Sequence, residues 1–241
     1  MSVAIKIAPK RVLMFLIGAI VVLALLDLVM LSAAVASPES HSLRFIARIF
    51  NMDEEASLPT WFSQIVLLAA AITAFVIGHV RRSQSLKDVV HWYVISVLLL
   101  YMSIDEGSSI HEGASGILDG LFDFESTWLT YSWVLAGLLA ALVVVLAFFK
   151  FWLRLPPKTR WFLFAAAVIF MLGAVGFEAI GSYVLNNSAE GAELRLIVVC
   201  EEVLELTGTS LVLYAGLDYL HSLTDLVQVQ IVGAKNNGPA V

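Results

Sequence analysis

Residues 12–36 read VLMFLIGAIVVLALLDLVMLSAAVA, an apolar stretch in which Asp27 is the one charged side chain. A membrane crossing by an α-helix takes about 20 residues, so this stretch is long enough to span a bilayer. The whole chain has the same character: of its 241 residues, 60% are hydrophobic and 14% are charged, and the mean hydropathy is +0.89. The sequence therefore predicts an integral membrane protein rather than a soluble one.

Hydropathy marks five further segments that are long enough to cross a membrane. Pro59 fits the first turn of the second segment, and Pro156 and Pro157 separate the fourth from the fifth. We expect an all-α integral membrane protein, a six-transmembrane-helix bundle that forms a single domain over residues 1–241. The predicted helices cover residues 12–36, 60–80, 89–113, 128–151, 161–185 and 195–220.

Residues 41–58, between the first two predicted crossings, form an amphipathic stretch. Its apolar residues alternate with Arg44 and Arg48, which are four residues apart and so share one face of a helix. This pattern predicts a short interfacial helix that lies flat on the membrane surface. The acidic residues 53–55 at its end have two interpretations, a cap on a nearby acidic layer or a simple turn before Pro59.

The distribution of basic residues predicts the orientation, because Lys and Arg are retained on the cytoplasmic side. Of the 14 basic residues, all but Arg44, Arg48 and Arg195 fall on the side that contains both termini. Both termini are therefore predicted to be cytoplasmic. The sequence Ala-Val-Ala at 34–36 is similar to a signal-peptidase site, but its apolar run is longer than a signal sequence requires, so we expect the first helix to be retained.

Seven acidic residues lie at membrane depth within the predicted helices. Counted at about 1.5 Å per residue from the cytoplasmic ends, they form one layer in the outer leaflet. Each costs on the order of 2.5–3.5 kcal/mol near the bilayer centre, and residues 89–149 and 161–194 contain no Lys or Arg to neutralise them. Protons, hydrogen bonds, water or a bound cation must therefore compensate. The seven are Asp27, Asp105, Glu106, Glu178, Glu201, Glu202 and Glu205.

The third predicted helix carries the densest polar motif of the chain. In a straight helix, Asp105 and Glu112 share one face, whereas Glu106 and His111 point elsewhere. A distortion at one of the neighbouring glycines would be needed to direct all four groups to one point. His111 fits metal ligation and an interfacial, solvent-bonded histidine equally well.

A site rich in carboxylates and poor in histidine favours hard or borderline divalent cations. The predicted cofactor is a divalent metal ion, with Zn, Mn, Fe, Mg and Ca as the candidates, in a site that faces the extracytoplasmic side. The predicted ligands are Asp105, Glu106, His111, Glu112, Glu178, Glu201, Glu202 and Glu205.

Three functions are compatible with such a site. In the first, a metal-dependent enzyme acts on a lipid or other amphiphile, and His111 and Glu112 are the catalytic groups beside metal-activated water. The second is a proton- or cation-coupled transporter that uses the same carboxylates. The third is a non-catalytic accessory membrane subunit whose acids bond neighbouring helices or a partner's arginine.

The remaining composition excludes other classes. Cys200 is the single cysteine, which rules out a disulfide framework and cysteine-based metal sites. The 20 acidic residues outnumber the 14 basic ones, which argues against nucleic acid as a partner. The predicted partners are the lipid bilayer and an amphiphilic substrate.

Overall fold

The fold is a bundle of helices, without a strand in the part of the chain that the structure describes. The computed structural model describes residues 7–110, 113, 133–186 and 191–224. Within these ranges the elements are α1 (Pro9–Ala36), α2 (His41–Phe50), α3 (Leu58–Ser83), α4 (Val89–Ser108), α5 (Trp133–Arg154), α6 (Pro157–Met171), a π-helical segment (Leu172–Phe177), α7 (Glu178–Asn186) and α8 (Ala192–Leu223).

Local sequence explains where several helices begin. Proline occupies the first turn of α1, α3 and α6, where its missing N–H is not needed for a helical hydrogen bond. The hydroxyl of Ser40 accepts a hydrogen bond from the backbone N–H of Leu43 at the start of α2, at 3.3 Å. Ser57 caps α3 in the same way through the N–H of Thr60, at 3.2 Å.

Five of the helices are long and apolar enough to cross a membrane. Their outward faces expose large apolar side chains, among them Phe15, Val35 and Leu146, which are each about 70% exposed. Water would not tolerate so much apolar surface, whereas lipid matches it. The described chain therefore has the character of a multi-pass membrane protein. The five spans are Pro9–Ala36, Leu58–Ser83, Val89–Ser108, Gly137–Arg154 and Pro157–Val184.

The sixth predicted crossing, residues 195–220, lies within α8. This helix has 32 residues, which gives it a length of about 48 Å. Its four glutamates, at 193, 201, 202 and 205, set its composition apart from the five apolar spans. It is nevertheless central in the bundle, because it contacts α1, α3, α6, the π-helical segment and α7.

The largest apolar core lies where α3, α4 and α8 meet. On α3, Ala70, Ala71 and Ala74 are buried, and their small side chains let the neighbouring backbones approach closely. Ser96 of α4 donates a hydrogen bond to the carbonyl of Ala71 at 2.8 Å. Close helix packing therefore aligns α4 against α3, and that alignment decides which residues of α4 face the interior.

Helix α4 ends earlier than the predicted end at residue 113. Ser109 adopts the left-handed conformation, with φ 47° and ψ 42°, and this interrupts the α-helix after Ser108. The expectation of a straight helix that carries Asp105 and Glu112 on one face does not hold across this break. Glu112 itself lies outside the described residues.

Helix α2 occupies the first part of the predicted amphipathic stretch. It ends at Phe50, and the chain then turns so that Arg48 pairs with Glu54 at 2.6 Å. Arg44 and Arg48 are exposed, whereas Ala47 between them is buried against the bundle. The position of α2 at a membrane surface stays a prediction.

Ion pairs tie the helices together at the end of the bundle opposite α2. Arg154 donates to both oxygens of Asp88, at 2.6 and 3.1 Å, and so joins α5 to the turn before α4. Lys158 of α6 pairs with Asp218 of α8 at 2.6 Å. Arg81 of α3 donates to the hydroxyl of Tyr219 on α8. These polar contacts connect α3, α5, α6 and α8 where the chain carries most of its basic residues.

We predict that Asp88→Asn destabilises the protein at pH 7 by no more than about 1 kcal/mol. The hydrogen bonds from Arg154 lower the pKa of Asp88 below its ordinary value. A lowered carboxyl pKa stabilises the fold above the ordinary pKa of the group, and this contribution is lost as the pH falls through the folded-state pKa. Asparagine tolerates the left-handed backbone at this position, with φ 68°, so the substitution isolates the charge.

Thermal unfolding in detergent, from pH 7 down to pH 3, checks this prediction. The difference in midpoint between wild type and Asp88→Asn should shrink as the pH falls. A difference that stays constant over this range would show that the charge of Asp88 is not responsible.

Candidate functional site

The packing of α4 turns Glu106 toward the interior. Every third or fourth residue of α4 faces the bundle, and Glu106 continues this row after Ser103, whose hydroxyl donates to the carbonyl of Gln64 on α3 at 3.0 Å. Asp105 precedes it by one residue and so lies about 100° around the helix. The inward row is Trp92, Ser96, Leu99, Ser103 and Glu106.

The π-helical segment controls the direction of Glu178. A π turn holds more residues than an α turn, so the residues after it are rotated relative to a continuous α-helix. Glu178 is the first residue after this segment. Its carboxyl group lies beside that of Glu201 on α8 and interacts with it electrostatically.

Very close packing brings the π-helical segment against α8. A Cβ atom added to Gly173 would lie 2.8 Å from the carbonyl oxygen of Glu201 and 2.8 Å from Cγ of Glu205. One turn further along α8, a Cβ atom on Gly208 would lie 2.9 Å from the backbone nitrogen of Phe170. Glycine at these two positions lets the glutamates of α8 approach Glu178.

The result is a cluster of carboxyl groups from three helices, which we call the carboxylate cluster. Glu106 interacts electrostatically with Glu202 and Glu205. Glu178 interacts with Glu201 and Glu205. All of these side chains are half-buried. The carboxylate cluster consists of Glu106, Glu178, Glu201, Glu202 and Glu205.

The other predicted site residues have different positions. Asp105 is half-buried on the neighbouring face of α4. His111 and Glu112 lie outside the described residues. In the described part of the chain, no group of three or more His, Cys, Asp or Glu side chains is arranged to hold a metal ion. Metal binding and hydrolase chemistry therefore stay predictions.

Arg195, near the start of α8, forms a polar network beside the carboxylate cluster. It donates to Oδ1 of Asp27, which is 1% exposed. It also donates to Oδ1 of Asn51 at 2.5 Å and lies 4.0 Å from Oδ2 of Asp53. One guanidinium thus joins α1, α8 and the turn after α2.

This network gives Asp27, one of the seven acids at membrane depth within the predicted helices, a basic partner. The pairing could not be read from the sequence, because Arg195 and Asp27 are 168 residues apart. One available signal was that Arg195 is among the three basic residues on the acidic side of the predicted topology.

Asp53 connects the network to the carboxylate cluster. It interacts electrostatically with Arg195, Glu178 and Asp27, and it also acts on Glu202. Its side chain is 62% exposed. Asp53 therefore lies near the carboxylate cluster, and the interpretation of residues 53–55 as a cap on the acidic layer stays a prediction.

The chain has the features of a multi-pass α-helical membrane protein. Its helices are long enough to span a membrane, their outer faces are apolar, and carboxyl groups lie between them. Residues 13–219 match the profile of a family described as a domain of unknown function, DUF8692, and the chain belongs to this family. The match includes every member of the carboxylate cluster together with Asp27 and Arg195. No curated protein matches the chain, and no solved structure does.

We predict that Arg195→Gln destabilises the protein by about 3–5 kcal/mol, because it leaves Asp27 buried without a compensating charge. The double variant Asp27→Asn with Arg195→Gln should lose much less stability than the sum of the losses in the two single variants. Thermal unfolding in detergent measures all three against wild type, and Arg82→Gln, an exposed arginine on α3, serves as the control. Additive losses would mean that the two side chains act independently.

We predict that Gly173→Ala separates α8 from the π-helical segment and destabilises the fold by about 1–3 kcal/mol. The added methyl group would meet the backbone of α8, which cannot move aside as a flexible side chain can. Gly18→Ala on α1 is the matched control, since a Cβ there has nothing within 4 Å. Equal unfolding midpoints for the two alanine variants would contradict the close contact.

Proposed function

We propose that this chain is a multi-pass membrane protein whose carboxylate cluster binds cations, with protons and one divalent metal ion competing for the same oxygens. The observation that carries the proposal is the convergence of five glutamates from three helices in a region without lysine. Such a site gains stability from any cation that it takes up. We place it in the outer leaflet, with α8 as a sixth crossing, α2 at the interface and both termini in the cytoplasm.

Electrostatics supports this proposal. Two carboxylates 4 Å apart repel each other by about 4 kcal/mol at an effective dielectric constant of 20. Arg195 is already shared by Asp27, Asn51 and Asp53, so little of its charge is available to the five glutamates. The deficit of positive charge therefore has to be met by an exchangeable ion.

The neighbouring carboxyl groups of Glu178 and Glu201 support competition between protons and a metal ion. Two carboxylates this close repel each other, and either a proton or a cation held between them relieves the repulsion. A divalent cation that binds both groups would release this proton, because metal ligands must be deprotonated. Cation affinity should therefore rise with pH.

The ligands that we propose are the oxygens of Glu106, Glu178, Glu201, Glu202 and Glu205. Hard or borderline cations suit them, which keeps Mg, Ca, Mn, Fe and Zn as candidates. In the enzymatic form of the proposal, the ion activates water against an amphiphilic substrate. Asp105, His111 and Glu112 would complete the site there, with the last two as catalytic groups.

We predict that the purified wild-type protein binds about one divalent ion per chain at pH 7.5 and that Glu205→Gln weakens this binding at least about 10-fold. Glu205 interacts with Glu106, Glu178 and Glu201, so its loss affects the whole carboxylate cluster. Element analysis gives the stoichiometry, and calorimetric titration with Mn²⁺, Ca²⁺ and Zn²⁺ gives the affinity. Lowering the pH to 5 should release the ion from the wild type.

Glu39→Gln is the matched control, because Glu39 is exposed in the turn before α2 and lies outside the carboxylate cluster. It should bind the ion as the wild type does. Full stoichiometry in Glu205→Gln would refute a site at the carboxylate cluster. Failure of every divalent ion to bind the wild type would refute the metal half of the proposal.

The second candidate function, coupled transport, is favoured by the same pair of neighbouring carboxyl groups, Glu178 and Glu201. It differs from a static metal site because it requires protons to cross the membrane. If no divalent ion binds, flux in proteoliposomes after a pH jump distinguishes it. Transport requires a flux that Glu205→Gln abolishes and Glu39→Gln leaves intact.

A further inference from the structure

A cavity of about 300 Å³ lies between the second half of α1 and the inner face of α2. Leu31 and Ala34 of α1 form an apolar wall, whereas Arg44 and Arg48 of α2 contribute positive charge. Asp27 forms part of its lining. The cavity is thus apolar on one side and charged on the other, and its volume is at the lower end of the range for small-ligand sites.

Its arginines suit an anion. The guanidinium of Arg44 bonds to Nδ1 of His41 at 2.9 Å, and it forms no ion pair with a carboxylate among residues 7–110, 133–186 and 191–224. Arg48 reaches Glu54 at 2.6 Å, with a side chain that is 65% exposed. Arginine binds phosphate oxygens through two parallel N–H groups, so this pair can hold a phosphate diester.

Asp27 suits a hydrogen-bond donor. Its Oδ1 accepts from Arg195, whereas Oδ2 is buried and has no hydrogen-bond partner among the residues that the structure describes. A buried carboxylate oxygen without a partner costs free energy, which a ligand N–H group would recover. The cavity therefore offers recognition for a phosphate and for a protonated amine at the same time.

The surroundings point to lipid as the source of these groups. Val29 and Val35 of α1 and Phe45 of α2 are each more than half exposed, and such apolar surface on the two helices that form the cavity fits acyl chains. The amphipathic α2 has the pattern of a helix that lies at the headgroup level. A phosphate ester that carries a primary amine at this level is a phospholipid headgroup.

We propose that the cavity between α1 and α2 binds the headgroup of a phospholipid with a primary ammonium group, of the phosphatidylethanolamine type, with its phosphate on Arg44 and Arg48 and its ammonium on Asp27. This site is separate from the carboxylate cluster, and the proposal does not rest on the proposed function.

Native mass spectrometry of the full chain, released from detergent with added lipids, tests the proposal. Phosphatidylethanolamine should bind about 10-fold more tightly than phosphatidylcholine with the same acyl chains, because a quaternary ammonium has no N–H for Asp27. Arg44→Gln should weaken phosphatidylethanolamine binding by about 10-fold, the loss of one charge-assisted contact. Arg82→Gln, an exposed arginine on α3, should bind as the wild type does.

Three results would overturn the proposal. Equal binding of the two lipids would exclude recognition of the primary ammonium. Equal binding by Arg44→Gln and Arg82→Gln would place the lipid elsewhere on the apolar surface. Water-soluble phosphoethanolamine that binds as tightly as the lipid would identify the ligand as a free phosphate ester.

Discussion

The scarcity of positive charge among the inward-facing acids is the constraint on which this bundle depends. Residues 89–149, 161–194 and 196–224 contain no Lys or Arg, although they include all five glutamates of the carboxylate cluster. Arg195 falls in the gap between two of these ranges, and it is held by Asp27 of α1 and Asn51. The glutamates are left with one another, and Glu178 and Glu201 lie side by side without a basic partner between them.

The two ends of the bundle and its middle are stabilised in different ways. Between apolar helices in lipid there is no hydrophobic driving force, so close packing must hold the middle. Gly173, Gly208 and the alanines of α3 provide that packing. Charged pairs hold the ends, with Asp27 and Arg195 at one and Lys158 and Asp218 at the other. Helix α8 takes part in both pairs and in the packing between them.

Hydropathy predicted the spanning character of five helices because the bilayer imposes a minimum apolar length. It also placed the interior acids on the correct segments, since a charged residue inside a long apolar run is visible in the sequence. The direction of each side chain was harder to predict. The sequence alone does not show whether Asp105 or Glu106 faces the interior. The packing of α4 against α3 decides this, because Glu106 continues the row of inward-facing residues.

Two other features had weaker signals. The π-helical segment Leu172–Phe177 changes the phase of a helix that reads as continuous in hydropathy. The glycines at 173 and 176 are compatible with it but do not predict it. Similarly, no short-range pattern connects Asp27 with Arg195, because their pairing follows from how α1 and α8 cross.

Arg195 connects the carboxylate cluster to the cavity between α1 and α2. It interacts electrostatically with Glu202 and at the same time binds Oδ1 of Asp27, whose other oxygen has no hydrogen-bond partner in the described part of the chain. A divalent ion in the carboxylate cluster would remove the attraction of Glu202 for Arg195 and leave the guanidinium more fully to Asp27. A better-neutralised Asp27 attracts a headgroup ammonium less strongly. Because such coupling is reciprocal, a bound headgroup amine would in turn disfavour the ion, so the two proposed sites oppose each other through one guanidinium.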